Sequence, residues 1–182
     1  KVAAYINSAY QVPMAMKSII ETSINSAQVP LTRTQVNLLI QAQLAANTNI
    51  SSMYTQFEAD GYDGNDVAYE YSDADYNAIG TGSLEIYWVR DRQQQLIQYR
   101  IEDSQEKYAD ALNEFGIREA EWYLCAKDTK KPCAMEPYMY EIEEGYEELM
   151  TSLTAPIVIN NQFRGVVGTD VNLPKFQTLA DN

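Results

Sequence analysis

The 182-residue sequence predicts an α+β fold, an antiparallel sheet with helices packed on one face and a long N-terminal helix leading into it. Three observations predict it. Apolar residues recur at helical spacing through the first third of the chain. Strand candidates cluster after that point, and turns join them, with one helical excursion. No internal repeat and no domain-sized linker interrupts the pattern.

The elements follow in order. Val2, Ile6, Ala9 and Val12 mark a helical face, Pro13 breaks or kinks it, and Met16, Ile19 and Ile20 resume it. Thr32 and Gln35 form a capping box after Pro30, and Val36, Ile40, Gln43, Asn47, Ile50 and Tyr54 carry a second face on to Phe57. Such a segment suits packing along a domain or against a second copy of itself. Two stacked core helices would show the same pattern.

Residues 58–82 are turn-forming, with a short strand candidate at Val67 to Tyr71. As a calcium loop they fail. Counting from Asp63 or Asp60, the position that needs a bidentate Glu holds Ala74 or Tyr71, which leaves solvated turns. Gly80-Thr81-Gly82 lacks the third glycine and following helix of a dinucleotide loop. Leu84 to Val89 and Leu96 to Ile101 read as a hairpin. Tyr108, Leu112 and Phe115 mark a helix starting near Asp103 or Ser104, and Ile117, Ala120 and Leu124 a second stretch. Strands are expected at 137–142, 149–159 and 163–171, the last two joined at Asn160-Asn161-Gln162, and a turn of helix at 173–179.

Composition narrows the chemistry. The chain has no histidine and two cysteines, so no histidine-based nucleophilic relay and no ordinary zinc site can be assembled, and no metal or cofactor is expected. With 26 acidic against 13 basic residues the formal charge is −13, which repels nucleic acid and anionic lipid. A hydrophobic content of 46% with 14 tyrosines belongs to a folded body. No window approaches a membrane span. Cys125 and Cys133 flank a polar loop that allows a disulfide; two separate thiols are the alternative.

Two segments concentrate chemistry. Arg118 to Tyr123 sets two large aromatics beside acid and base. In Gly165 to Asp170, alternation puts Val166, Gly168 and Asp170 on one face, so a carboxylate sits beside a position without a side chain. A carboxylate on an inner sheet face needs a cation, from the protein or from a ligand.

The runs Trp122-Tyr123, Glu136-Pro137-Tyr138, Met150 to Ile157 and Phe163 to Val171, with Phe57 to Gly64 and Tyr87 to Arg90, resemble the membrane-distal module of double Cache sensor domains over nearly the whole chain. The resemblance implies a PAS-like sheet (the Cache fold) with a long N-terminal helix, outside the cytoplasm. Most such domains belong to methyl-accepting chemotaxis receptors, some to kinases or cyclases, and they bind small molecules without catalysis. Residues 1–57 would then be the helical segment, 58–172 the ligand-binding module and 173–182 the connection to a proximal module. It also implies a membrane-anchored, periplasmic receptor that dimerises through the N-terminal helix.

In the amino-acid-binding branch of that family, positions matching Asp170, Trp122 and Tyr123 hold the ligand ammonium. An arginine two residues before the tryptophan and a tyrosine seven before it hold the carboxylate; here those positions are Ala120 and Phe115, and a further family acid corresponds to Tyr140. By that comparison the pocket resembles the variant that recognises an amine or quaternary ammonium. Asp170 would supply charge, and Trp122, Tyr123, Tyr140 and Tyr99 an aromatic cage, each contact worth about 0.5 to 2 kcal/mol. Arg118, one turn before Trp122, offers the alternative of an L-amino acid sensor, and core packing is the plainer account of the aromatics. A carboxylate-based hydrolase would need Glu121 with Asp170 or Glu136 as an acid and base pair.

Overall fold

The computed structural model describes residues 2–172 and, among these, every side chain except those of Val2, Ala3, Tyr138, Tyr140, Ile142, Glu143 and Tyr146. The helical turn expected at 173–179 and the connection at 173–182 lie outside them.

Helix α1 spans Val2–Asn25 and runs on through Pro13. Its buried stripe of Ala9, Val12, Met16 and Ile20 has the spacing of one helical face. Helix α2 spans Arg33–Ala46 and starts on the expected capping box: Thr32 accepts from the Gln35 backbone N–H at 3.1 Å, and the Gln35 side chain accepts from the Thr32 N–H at 2.9 Å.

Helix α2 ends at Ala46, and Ser52–Phe57 is a strand, β1, so the helical face read as far as Phe57 is corrected there. The boundary drawn at 57 moves with it, because β1 lies inside the sheet. The misreading has a physical cause. All six β1 residues are buried, so no polar alternation betrays the strand, while Ile50, Tyr54 and Phe57 happen to keep helical spacing.

The 58–83 connection is also corrected. Instead of a strand over Val67 to Tyr71, a 3₁₀ turn forms at Asp66–Tyr69, leaving Val67 and Tyr71 exposed. Nor are the acidic turns merely solvated. Arg33, 2% exposed, gathers them: its guanidinium donates to Asp63 at 2.7 and 2.9 Å, Asp66 at 2.7 Å, Asn77 at 2.9 Å and the Gly82 carbonyl at 2.5 Å, and lies 4.0 Å over the Tyr69 ring. Gly82 has φ +70° and room for no side chain, because a Cβ would fall 2.1 Å from the Asp66 carbonyl.

Strands β2 (Glu85–Arg90) and β3 (Leu96–Gln98) form the expected hairpin. The helix expected from Asp103 through Phe115 does not form. A 3₁₀ turn at Glu106–Tyr108 and an irregular loop replace it; Tyr108 packs on Tyr123, while Leu112 and Phe115 are exposed and have no core to face. Helix α3 spans Glu121–Thr129, placing Trp122 and Tyr123 at a helix start. Strands β4 (Cys133–Ala134), β5 (Tyr138–Glu143), β6 (Tyr146–Ile159) and β7 (Gln162–Asn172) complete the fold. Asn160 and Asn161 both take positive φ, 51° and 64°, as a two-residue hairpin turn between β6 and β7 requires.

The seven-stranded sheet runs β3-β2-β1-β7-β6-β4, with β5 also on β6, and every pairing is antiparallel. One face carries α1 and α2 over Met53, Phe57, Ile86, Leu153, Ile157, Val167 and Val171. Helix α3 covers the other, around Tyr54, Tyr123, Phe163 and Val166, so helices flank both faces rather than one.

Candidate functional site on the α3 face of the sheet

Asp170 lies on β7 between two serines, because the register sets it opposite Ser52 of β1 and Ser152 of β6. Antiparallel partners point to the same face. Ser52 Oγ donates to Asp170 Oδ2 and Ser152 Oγ to Asp170 Oδ1, each at 2.5 Å. All three are buried, at 5%, 1% and 3% exposure.

One pleat repeat along, Tyr54 lies opposite Gly168, and its ring occupies the space a side chain there would need: a Cβ on Gly168 would meet the ring at 2.2 Å. From Tyr54 the aromatics continue in two directions. Trp122 meets it edge-on at 5.5 Å between centroids, and Tyr87 of β2 lies at 6.0 Å. Tyr99, half exposed, packs on Tyr87 at 6.1 Å and forms the outer rim. The surface thus joins one carboxylate, two hydroxyls and four partly wet or buried rings.

Tyr123 stands behind this surface. Fully buried among Trp122, Tyr108 and Phe163, it donates its hydroxyl to Glu58 at 2.8 Å. Glu58, the residue after β1, also accepts from Tyr108 and, at 2.7 Å, from Lys127. Burial opposes the Glu58 charge, but these three donors outweigh it and hold its pKa below the ordinary carboxylate value. Burial and the adjacent Glu58 push the phenols of Tyr108 and Tyr123 well upward, so both remain donors. Tyr123 therefore fixes α3 to the sheet and supports Trp122.

A second pin is Glu85 with Lys107, 2.6 Å apart and both buried. The other Glu85 oxygen, Oε2, is buried without a hydrogen-bond partner among the described residues. Burial raises the Glu85 carboxyl to about 7 despite Lys107. The third pin is covalent. Cys125 of α3 and Cys133 of β4 are joined by a disulfide, their Cα atoms 6.4 Å apart.

Arg118 is not brought to Asp170. Its guanidinium binds Glu121 at 2.6 and 3.0 Å and Asp128 at 2.7 Å at the start and outer side of α3, and these acids raise its pKa. Glu121 is committed to that pair, which leaves it unavailable as an acid or base partner for Asp170. Phe115, at the place of the family tyrosine, is 77% exposed in a loop, while Ala120 is buried at the α3 N-cap. Tyr140 lies on β5 opposite Glu148; its side chain is outside the description.

Sequence reasoning brought Asp170, Trp122 and Tyr99 to one face. It missed Ser52, Ser152, Tyr54 and Tyr87, whose only signal was the register, and register depends on recognising β1; it also missed Glu58, which follows β1 and is placed by Tyr108, Tyr123 and Lys127. No group of three or more metal-ligating side chains forms among the described residues. Hollows of about 390 and 570 Å³ lie along α1, lined by Ser18, Thr22 and Ser26 among others, the second also by Glu21; they are on the opposite layer from Asp170 and no aromatic ring lines them.

The comparisons agree with this architecture. Residues 39–178 match the family model for the methyl-accepting chemotaxis protein-like, first PDC sensor domain. The methyl-accepting chemotaxis protein TlpQ of Pseudomonas aeruginosa is 30% identical over 146 residues, which cover 78% of this chain and 20% of that protein. The extracellular domain of the putative histidine kinase mmHK1S-Z2 superposes with a TM-score of 0.73 at 22% identity, covering 94% of this chain and 55% of that one. The structure titled methyl-accepting chemotaxis protein X gives 0.71 at 20%, covering 95% and 57%. This chain belongs to the methyl-accepting chemotaxis protein-like, first PDC sensor domain family, a family of extracytoplasmic, non-enzymatic ligand-sensing modules.

Proposed function

We propose that this domain senses a small organic cation, an amine or a quaternary ammonium, held on the α3 face with its charge against Asp170 and its alkyl part among Tyr54, Tyr87, Tyr99 and Trp122. One observation carries the reading: the buried Asp170 carboxylate is built into a row of hydroxyls beside an aromatic surface. Each ring that meets the desolvated cation contributes on the order of 0.5 to 2 kcal/mol. The amino acid alternative needs Arg118 to leave Glu121 and Asp128 to reach a ligand carboxylate, which weighs against it.

Thermal-shift screening of amines and amino acids tests this. At least one amine should raise the melting temperature by mass action, Asp170→Asn should abolish the shift, and Arg118→Ala should leave it unchanged. A shift produced only by amino acids, and lost in Arg118→Ala, would transfer the assignment to the alternative.

The chain spans a fifth of TlpQ, so the parent's activity is also inferred: a membrane-anchored receptor that passes the binding signal across the membrane. No helix among the described residues is long and apolar enough to cross a membrane. We assign residues 52–172 to the sensing module and α1 to pairing with a second copy. Scattering at micromolar concentration should report a dimer.

A further inference from the structure

We propose that Gly168 is a positioning residue that sets the depth of the aromatic floor, and through it the bulk of the head group the site admits; this rests on the reading of the Asp170 face as the ligand site. Nothing in the backbone calls for glycine there, since Gly168 has no positive φ. What calls for it is the ring of Tyr54. The three atoms nearest to a Cβ at 168 all belong to the outer end of that side chain, Cζ at 2.2 Å and Cε2 and Oη at 2.4 Å, so the ring lies down across β7. Gly165, three residues earlier and on the other face, differs. A Cβ there would meet the Gln56 carbonyl at 2.5 Å and the Phe57 Cα at 2.8 Å, which are backbone atoms of the paired strand. A side chain at 165 would therefore break the pairing, whereas one at 168 meets the movable end of a ring.

The consequence falls on the ligand. Ordinary contacts with a Cβ begin near 3.4 Å, so a methyl at 168 displaces the end of the Tyr54 ring from the sheet by about 1 Å. Trp122 stands edge-on to that ring at 5.5 Å between centroids, and Tyr87 lies at 6.0 Å. These two rings form the walls, and Gly168 fixes how low the floor between them lies. A raised floor takes room from the head group and leaves Asp170, one pleat repeat along β7, where it was. Room lost in a packed site counts against bulk: a compact ammonium still fits, and each N-methyl added to it makes the misfit worse.

Calorimetric titration of the unmodified chain and of Gly168→Ala with n-butylammonium and its N-methyl, N,N-dimethyl and N,N,N-trimethyl forms tests the proposal. Gly168→Ala should bind the parent amine within about twofold of the unmodified chain, and its loss should grow with each methyl, to at least about fivefold at the bulkiest form the unmodified chain binds. A merely structural glycine would move stability and not this slope. In Tyr54→Leu, which leaves no ring over residue 168, adding Gly168→Ala should change the slope no further. If Gly168→Ala does not fold by circular dichroism, Tyr54→Leu alone decides: with the floor lowered, the slope must shift toward the bulkier forms, and an unchanged slope overturns the proposal. A loss equal for all four forms, or no loss, with binding still abolished in Asp170→Asn, would overturn the role of Gly168 and leave the organic-cation reading standing. If none of the four binds the unmodified chain the proposal falls, and the organic-cation reading falls with it only when no other amine shifts the melting temperature.

Discussion

The two faces of the sheet are made of different materials. Under α1 and α2 the contact is mostly apolar, from Ala9 and Met16 through Ile40 and Leu44 to Ile157 and Val171, with a few buried polar side chains such as Thr55, Thr169 and Asn37 among them. Under α3 the same sheet carries Asp170, Ser52, Ser152, Glu85 and a chain of aromatic rings, and α3 is held by specific pins, Tyr123 and Lys127 on Glu58 and the disulfide, rather than by a broad apolar stripe. The difference teaches where stability and specificity reside: the α1/α2 layer supplies most of the burial, and the α3 layer spends part of it on buried polar groups that a ligand can use. Substitutions should separate accordingly, costing stability on one side and affinity on the other.

The largest effect is expected at the margin of the helical layer. Arg33 binds Asp63 and Asp66 while 2% exposed, so Arg33→Ala leaves the buried Asp66 and the more exposed Asp63 without their cation and the site of Arg33 unfilled. It should cost about 3 to 5 kcal/mol in denaturant unfolding. Because Arg33 lies on the far side from Asp170, ligand affinity of the folded fraction should be unchanged. A stable variant with lost binding would contradict the division between the faces.

Next comes the covalent pin. The disulfide closes a short loop, worth about 2 to 3 kcal/mol in the chain-entropy picture. Replacing Cys125 and Cys133 with serine should lower the melting temperature. Unlike Arg33→Ala it should also weaken ligand binding, since α3 carries Trp122. Hydrogen exchange localised to residues 121–129 would show that α3, and not the sheet, has loosened.

The two layers differ in how much of them is legible in the sequence. The capping box at Thr32, the β2-β3 hairpin, the Asn160-Asn161 turn and the reach of Cys125 to Cys133 all depend on neighbours in sequence, and each is read correctly from local chemistry. Strand β1 was hidden because burial on both faces erases alternation. The segment from Asp103 to Phe115 imitates a helix, yet Leu112 and Phe115 face water, Tyr108 packs on Tyr123, and its one buried cation, Lys107, pairs with Glu85 from a strand far off in sequence. On the α3 face, Asp170 and Trp122 were visible as residue types in strand and helix. Ser52, Ser152 and Tyr54 belong to the site only through cross-strand pairing, which no local window contains.

A smaller, pH-dependent effect should come from Glu85. Its folded pKa of about 7 stands above the ordinary 4.5, so the native state holds the proton more tightly than the unfolded chain between those values. The stability it contributes is fully present below pH 4.5 and is lost as pH rises through 7. The change is on the order of 1 to 3 kcal/mol. Denaturant midpoints measured from pH 5 to pH 8 should decline for the unmodified chain, and Glu85→Gln, which keeps the shape without the charge, should flatten that part of the profile. An unchanged slope would place the pH sensitivity elsewhere.

The smallest effect is expected at Tyr99, and it is the most specific to the division. Its ring is 49% exposed and touches the site only through Tyr87, so removing it opens no cavity. Tyr99→Ala should change stability by no more than about 0.5 kcal/mol. As a rim contact to a cation it should still weaken amine binding, by about 0.5 to 1 kcal/mol, or two- to fivefold, as expected for an exposed cation–π partner. Tyr99→Phe should keep most of the affinity, because the ring face rather than the hydroxyl makes the contact. If Tyr99→Phe loses as much as Tyr99→Ala, the hydroxyl is the group that matters, and the rim recognises a hydrogen-bonding part of the ligand instead of its charge.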